Sequence, residues 1–225
     1  MSRFIENFLD PVVIERYGVS ILQGVWITLG IGLAVVLTGT MLGLVLAVVR
    51  TFGNKPVNAV ILLFVDWFRA LPPLALILIV YFGLPNAGIV LPSVMVLWLS
   101  LTLVLAAFCE EVFWAGITAT PQGQWLAGRA TGLTLAQTLV FIILPQAIRM
   151  AIPPLTNRAI NITKNTSLGS AIGVSDVLGR AMATQSLASD ATPLMLAAII
   201  YVIVFTPMVV ASRLIERRFA PGRPR

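Results

Sequence analysis

Three long stretches of this chain carry no charged side chain, and they constrain its fold more than any other feature. Residues 17–49, 70–109 and 191–212 contain no Asp, Glu, Lys or Arg. A helix of about 20 apolar residues crosses the ~30 Å hydrocarbon core of a bilayer, so each stretch holds one or two spans. The chain is 58% hydrophobic and 11% charged, which is more apolar than a soluble domain of 225 residues. The pattern predicts an all-α membrane protein.

Turn signals divide these stretches into five predicted transmembrane helices. Gly- and Pro-containing turns at RTFGNKP and YFGLPNAG end the first two helices. A short apolar segment at 134–150 precedes the fourth span, which Pro153 and Pro154 interrupt. The predicted spans cover residues 20–49, 57–83, 89–117, 151–171 and 192–212. We therefore expect three parts: an external N-terminal segment at 1–19, one transmembrane domain at 20–215 and a basic tail at 216–225.

The distribution of Lys and Arg predicts the orientation, because basic residues concentrate in cytoplasmic loops. With the N-terminus outside, five spans place the C-terminus and the loop at 118–150 in the cytoplasm. Of the 15 basic residues, nine then lie on the cytoplasmic side, three outside and three within spans. The cytoplasmic nine are Arg50, Lys55, Arg129, Arg149, Arg213, Arg217, Arg218, Arg223 and Arg225, and the external three are Arg3, Arg16 and Arg180. The net charge of +6 is therefore a topology signal, and nucleic acid binding is not expected.

Residue usage excludes several kinds of chemistry. Cys109 is the only cysteine, so no internal disulfide forms, and the chain has no histidine, the commonest metal ligand and general base. The sequence has no G-x-x-x-x-G-K-[ST] phosphate-binding loop, so the chain cannot hydrolyse ATP by itself. We expect a protein that is not an enzyme and has no metal site or cofactor of its own.

The predicted cytoplasmic loop contains a short helix with two glycines, LAGRATGL at 126–133. Its glycines allow another surface to approach the backbone closely. Pro145 interrupts the helical hydrogen bonds where the chain turns back into the membrane. A helix of this kind also lies passively at lipid headgroups in some membrane proteins, and the spacing alone leaves both interpretations open.

The spacing in this loop resembles the EAA loop of bacterial ATP-binding cassette (ABC) importers. In that loop a Glu-Ala-Ala start is followed by three residues, a glycine, nine residues and Ile-x-Leu-Pro, and Gly132, Ile142, Leu144 and Pro145 hold those places here. Further ordered matches are FRALPPL, YFGLP, AAFCEEVFWAGI, TPQGQ and LPQAIRMAIPPLTNRAINITKNTSLGSAIGV. Together they resemble the permease subunits of polar amino acid importers of the histidine, glutamine and arginine type, from about residue 20 to 215. The resemblance implies the type I ABC importer permease fold.

The resemblance also implies that this loop is a coupling helix that docks into a separate ATPase subunit. The implied docking residues are Gln124, Leu126, Ala127, Gly128, Arg129, Gly132, Leu133 and Pro145. The chain departs from the family pattern at four positions: Leu126 replaces the usual glutamate, Gly128 the second alanine, Trp114 an arginine and Asn165 an aspartate. A carboxylate at the helix start can pair with a basic residue of the partner, whereas leucine can only pack.

Charged residues within the predicted spans mark a candidate solute path, because a charge in hydrocarbon usually faces a partner or a water-filled cavity. Asp66 and Arg69 are three residues apart, so they either neutralise each other or meet the charged groups of the solute. Glu110 and Glu111 point about 100° apart on a helix. One of them is expected to pair with Arg69, and the other to meet water or a partner subunit. A cationic solute is a further hypothesis from these two carboxylates.

The fourth predicted span carries a polar stripe. Asn157, Asn161, Lys164 and Ser167 recur at helical intervals, and Asn165 lies beside them. The stripe either lines the solute path or supplies hydrogen bonds between helices. In the first span, Gly39 and Gly43 fit close helix packing within one subunit.

These observations predict the permease subunit of an ABC importer that carries a polar amino acid or similar small polar solute inward. The resemblance implies two ATPase subunits that bind ATP and Mg²⁺, a second permease copy or homologue, an extracytoplasmic solute-binding protein, and the bacterial cytoplasmic (inner) membrane. One alternative is a secondary transporter in which Asp66, Glu110, Glu111 and Lys164 relay ions. The other alternative is a membrane scaffold whose loop only recruits partners.

Overall fold

The computed structural model describes residues 8–219, and over that range the protein is all-α, with no β-strand. The predictions for Arg3, Arg223 and Arg225 lie outside the described residues. In chain order the helices are α1 Pro11–Thr51, α2 Lys55–Ala70, α3 Pro73–Gly83, α4 Ser93–Ala119, α5 Gln122–Ala130, α6 Leu135–Thr138, α7 Leu144–Lys164, α8 Val177–Ala188 and α9 Thr192–Phe219. Short 3-10 helices lie at Leu84–Ala87 and Asn165–Ile172, and a π-helical turn lies at Leu139–Ile143.

The membrane-spanning architecture agrees with five predicted spans. Four helical segments in the described range are long and apolar enough to cross a bilayer: α1, α4, α9 and the continuous stretch that contains α7. The bent pair formed by α2 and α3 passes the same test as one further span.

The first helix is longer than predicted. It begins at Pro11 because the Asp10 carboxylate caps it, accepting a hydrogen bond from the Val12 backbone N–H at 2.8 Å. Its 41 residues rise about 62 Å at 1.5 Å per residue, roughly twice the hydrocarbon thickness. Much of the segment predicted to precede the first helix is therefore the start of that helix.

The second span is not the single helix predicted at 57–83. It breaks between α2 and α3, whose axes differ by 104°. Leu71 has an extended backbone, with φ −78° and ψ 130°, because the ring of Pro72 disfavours helical geometry in the residue before it. The break brings the last turn of α2, with Arg69, against α4.

Helix α4 occupies the centre of the protein. Of its 18 most apolar residues 61% are buried, against 17% for α9. Helix α1 approaches α4 closely at Gly39 and Gly43, where a Cβ atom would lie 3.0 Å from the Leu105 side chain and 2.5 Å from Cys109 Cβ. The predicted packing role of these two glycines within one subunit is confirmed.

The chain after α5 runs as one continuous helical rod from Leu135 to Lys164. We predicted a short segment at 134–150 with a break at Pro145, and a separate span from 151 that Pro153 and Pro154 interrupt. That prediction is wrong, because the helix continues through all three prolines. Pro145 lies in the first turn of α7, directly after the π-helical turn. The wider π turn accommodates a residue that has no backbone N–H to donate.

Candidate functional site

The nine-residue helix α5 forms the connection between α4 and the rod. It ends in a left-handed turn at Gly132, with φ 89°. The backbone N–H of Gly132 donates to the Arg129 carbonyl at 3.1 Å, and that of Leu133 donates to the Gly128 carbonyl at 3.3 Å. These two bonds are the Schellman arrangement, which favours glycine at the left-handed position. Gly132 is therefore required by the backbone that ends the helix.

Helix α5 has one face against the protein and one face open. Gly128 is buried, and a Cβ atom there would lie 2.7 Å from Thr138 Cγ2 and 2.8 Å from Ile142 Cδ1. The surface that approaches Gly128 is thus the beginning of the rod in the same chain. Leu126 is 70% exposed, and the other exposed docking candidates on this helix are Gln124, Ala127 and Arg129.

The connection from α5 to the rod is ordered by local hydrogen bonds. Thr134 and Gln137 form a capping box at the start of α6, with bonds of 2.8 and 3.2 Å. The Arg129 guanidinium donates to the Leu133 carbonyl at 3.0 Å, across the turn. Pro145 is exposed on the first turn of α7. A short, hydrogen-bonded turn therefore joins α5 to the segment that leads into α7.

A polar cavity of about 230 Å³ lies between the end of α2, the middle of α4 and the second half of α7. Its volume is below the roughly 300–1,000 Å³ of drug-sized ligand pockets, so it suits a small solute. The polar lining residues are Arg69, Arg158, Asn161 and Asn165, and the apolar ones include Val104, Leu105 and Phe108.

Arg69 reaches this cavity while paired with Glu111. Its Nη1 lies 2.7 Å from Glu111 Oε1, and the two side chains are 34% and 49% exposed. The prediction that one of the adjacent glutamates pairs with Arg69 is confirmed. The alternative pairing of Asp66 with Arg69 is wrong: Asp66 is exposed and has no ion pair within residues 8–219.

Glu110, which we placed among the candidate solute-path residues, does not line the polar cavity. Its side chain is 0% exposed, and its two carboxylate oxygens lie 3.0 and 3.3 Å from Arg50 Nη1. The Arg50 guanidinium also lies over the Trp114 ring, 4.2 Å from its centroid. Since helix geometry turns Glu110 away from Glu111, it faces α1 and joins α1 to α4.

The polar stripe of the fourth span divides between two surroundings. Asn161 lies at the polar cavity with Asn165. Lys164 and Ser167 line a separate groove against α9, where the Lys164 ammonium lies over the Phe205 ring at 5.6 Å. Asn157 donates to Glu216 at 2.6 Å and accepts from Ser212 at 3.2 Å, so it supplies hydrogen bonds between helices.

The model of the family described as "Binding-protein-dependent transport system inner membrane component" matches residues 39–222. The chain belongs to this family. The probable glutamine ABC transporter permease protein GlnM of Bacillus subtilis is 33% identical over 179 residues, which cover 79% of this chain and 83% of that one. The arginine ABC transporter permease protein ArtQ of Haemophilus influenzae is 32% identical over 200 residues, which cover 85% of this chain and 90% of that one. The protein is an amino acid ABC transporter permease.

Solved permease structures have the same fold. A chain of an amino acid ABC transporter crystallised with histidines superposes with a TM-score of 0.84 at 29% identity, covering 93% of this permease and 99% of that chain. A chain of the methionine ABC transporter MetNI in an inward-facing conformation superposes with a TM-score of 0.72 at 21% identity, covering 89% of this permease and 96% of that chain. This likeness shows the fold alone.

The permease holds the groups of the alternative ion relay apart. Glu110 is sealed against Arg50, Glu111 is paired with Arg69, and Lys164 lies in the groove against α9. Asp66 is exposed with no ion pair among the described residues. Within residues 8–219, no direct ion pair joins any two of these four groups.

Sequence reasoning missed the place of Arg158 at the polar cavity. Arg158 is one of the three basic residues within the predicted spans, and we assigned it no role, whereas the structure places it in the lining of the polar cavity. A signal was available: Arg158, Asn161 and Asn165 are spaced by three and four residues, so they share one helix face.

Proposed function

We propose that this permease subunit moves a polar amino acid or similar small polar solute into the cytoplasm, driven by two separate ATPase subunits that bind ATP and Mg²⁺. A second copy of the chain or a homologous permease completes the pore. A solute-binding protein delivers the solute from outside the cytoplasmic membrane. The relatives named as glutamine and arginine permeases support the amino acid class for this chain.

The observation that carries the proposal is the physical link between α5 and the polar cavity. Helix α5 exposes Leu126 and ends at Gly132, and a short turn joins it to the rod that carries Arg158 and Asn161 into the cavity. An ATPase that grips α5 therefore pulls directly on the helix that lines the cavity. Cycles of ATPase closure would open the cavity alternately to the two sides.

Reconstitution of the permease with its ATPase and binding protein in proteoliposomes tests this proposal. We expect the solute to stimulate ATP turnover, and uptake to continue after ion gradients are collapsed at constant ATP. Loss of uptake on collapse of the gradients would favour the secondary transporter. Binding of the ATPase without any flux would favour the scaffold.

Substitution of Gly132 by Asp tests the coupling role of α5. A side chain at this positive φ costs roughly 1–2 kcal/mol, but open space surrounds the position, so the chain should still fold. We expect solute-stimulated ATP turnover to be lost because the end of α5 no longer keeps its geometry. Gly88→Asp is the matched control, since Gly88 also has positive φ (79°) and open surroundings but lies far along the chain from α5. Normal coupling in Gly132→Asp would count against the proposal.

A further inference from the structure

The charge of the polar cavity selects among the solutes that the proposed transport function allows. Two guanidinium groups line it, Arg69 from the end of α2 and Arg158 from α7, and no carboxylate of residues 8–219 is among its lining groups. Both guanidinium groups lie over the Phe108 ring, with Cζ atoms 5.5 and 4.1 Å from the ring centroid. The ring holds both cations at the cavity through cation–π contacts.

The positive charge at the cavity is only partly neutralised. Glu111 pairs with Arg69, whereas Arg158 has no ion pair within residues 8–219. Two guanidinium groups and one carboxylate leave a formal charge of +1 at the cavity. Glu110 does not change this balance, because it is buried against Arg50. A cationic solute would therefore meet an uncompensated like charge.

The amide side chains beside Arg158 are free to bind a solute. Asn161 lies about one turn beyond Arg158 on the same helix face, and Asn165 follows one turn later as the first residue of the 3-10 helix. Neither side chain makes a hydrogen bond within the described part of the chain, and both line the cavity. An amide offers a carbonyl oxygen to an ammonium group and N–H groups to a carboxylate. A guanidinium beside them matches a carboxylate with two parallel hydrogen bonds.

We propose that the solute carries a net negative charge and is an acidic amino acid, with a carboxylate bound by Arg158 and polar groups bound by Asn161 and Asn165. This inference rests on the proposed function and names the solute class of the same cavity. It replaces our hypothesis that two adjacent carboxylates favour a cationic solute. It also separates this permease from the relatives named as arginine permeases.

Direct binding to the purified permease–ATPase complex tests the proposal, without the binding protein, whose own selectivity would dominate. The probes are radiolabelled L-glutamate, L-aspartate, L-glutamine, L-arginine and succinate. L-glutamine has nearly the shape of L-glutamate without the side-chain charge. We expect L-glutamate or L-aspartate to bind roughly 10- to 100-fold more tightly than L-glutamine, as the loss of a charged hydrogen-bond pair predicts.

Three results would overturn the proposal: tighter binding of L-glutamine or L-arginine, binding of succinate equal to that of the acidic amino acids, and binding of none of the five. The proposed transport function stands or falls separately, on ATP-driven uptake in proteoliposomes. Failure of the charge proposal with intact uptake would leave an importer for a different solute.

Variants of Arg158 locate the selectivity in this cavity. Arg158→Gln should abolish the preference for L-glutamate over L-glutamine, and Arg158→Lys should retain part of it because the charge remains. Arg149→Gln is the matched control, since Arg149 lies on the same helix but lines a different groove. An unchanged preference in folded Arg158→Gln would overturn the assignment of Arg158 to the solute.

Discussion

Glu110 and Glu111 are neighbours on α4, and each pairs with an arginine, yet they stand in opposite surroundings. Glu110 is sealed between α1 and α4, with 0% of its side chain exposed, whereas 49% of the Glu111 side chain is exposed beside the polar cavity. The 100° step of the helix separates them. Two adjacent carboxylates on one central helix thus serve different purposes: Glu110 joins helices and Glu111 adjusts the charge of the cavity.

The largest effect on stability is expected from Glu110→Gln, which leaves Arg50 without its buried partner. Breaking a buried ion pair from one side costs roughly 3–5 kcal/mol, equivalent to a fall of roughly 6–20 °C in the unfolding midpoint of a protein of this size. Tryptophan fluorescence during heating of the detergent-purified permease measures the unfolding midpoint.

The double variant Arg50→Met/Glu110→Leu provides the control for Glu110→Gln. Because it removes both charges and keeps apolar volume, its midpoint should return most of the way to that of the unmodified chain. An unchanged unfolding midpoint in Glu110→Gln would show that the Arg50–Glu110 ion pair does not stabilise the structure.

An intermediate effect on stability is expected from Gly43→Ala, at the contact between α1 and α4. The added Cβ would lie 2.5 Å from Cys109 Cβ and 2.8 Å from the Glu110 backbone nitrogen. Overpacking of this kind costs roughly 1–3 kcal/mol. Gly30→Ala on the same helix is the control, since nothing lies within 4 Å of its added Cβ, and its midpoint should not fall. Equal midpoints for the two variants would contradict the close approach of α1 and α4.

The smallest effect on stability is expected from Glu111→Gln, because Glu111 is exposed beside the polar cavity. Exposed ion pairs contribute roughly 0–1 kcal/mol, so the midpoint should fall by no more than roughly 4 °C. The same variant removes one negative charge beside Arg69, so L-glutamate should bind at least as tightly as before. A midpoint fall as large as that of Glu110→Gln would remove the distinction between the two glutamates.

Some of this architecture follows from local sequence pattern. The uncharged stretches predict five spans because a bilayer demands long apolar helices. We placed Gly132 within a predicted helix at 126–133, whereas it follows α5 in a left-handed turn that favours glycine. The break before Pro72 was also predictable from the sequence, since two successive prolines follow Leu71. Reading FRALPPL as one uninterrupted helix was the error.

Other features depend on contacts between distant segments. Arg50 and Glu110 are 60 residues apart, and no periodicity within α4 tells which glutamate meets α1. The division of the polar stripe depends equally on where α2 and α9 pack against the rod. The rod itself was missed because Pro145 usually interrupts a helix, and the π-helical turn before it leaves no distinctive sequence signal.

The most direct test of the account measures whether an ATPase covers α5. Leu126→Cys places a thiol on the open face of α5, and the native Cys109 is fully buried, so it should not react. Leu187→Cys, at a position 77% exposed on α8, is the control. We predict that ATPase binding slows labelling of Leu126→Cys by a polar maleimide and leaves Leu187→Cys unchanged. Equal labelling of Leu126→Cys with and without the ATPase would contradict the account.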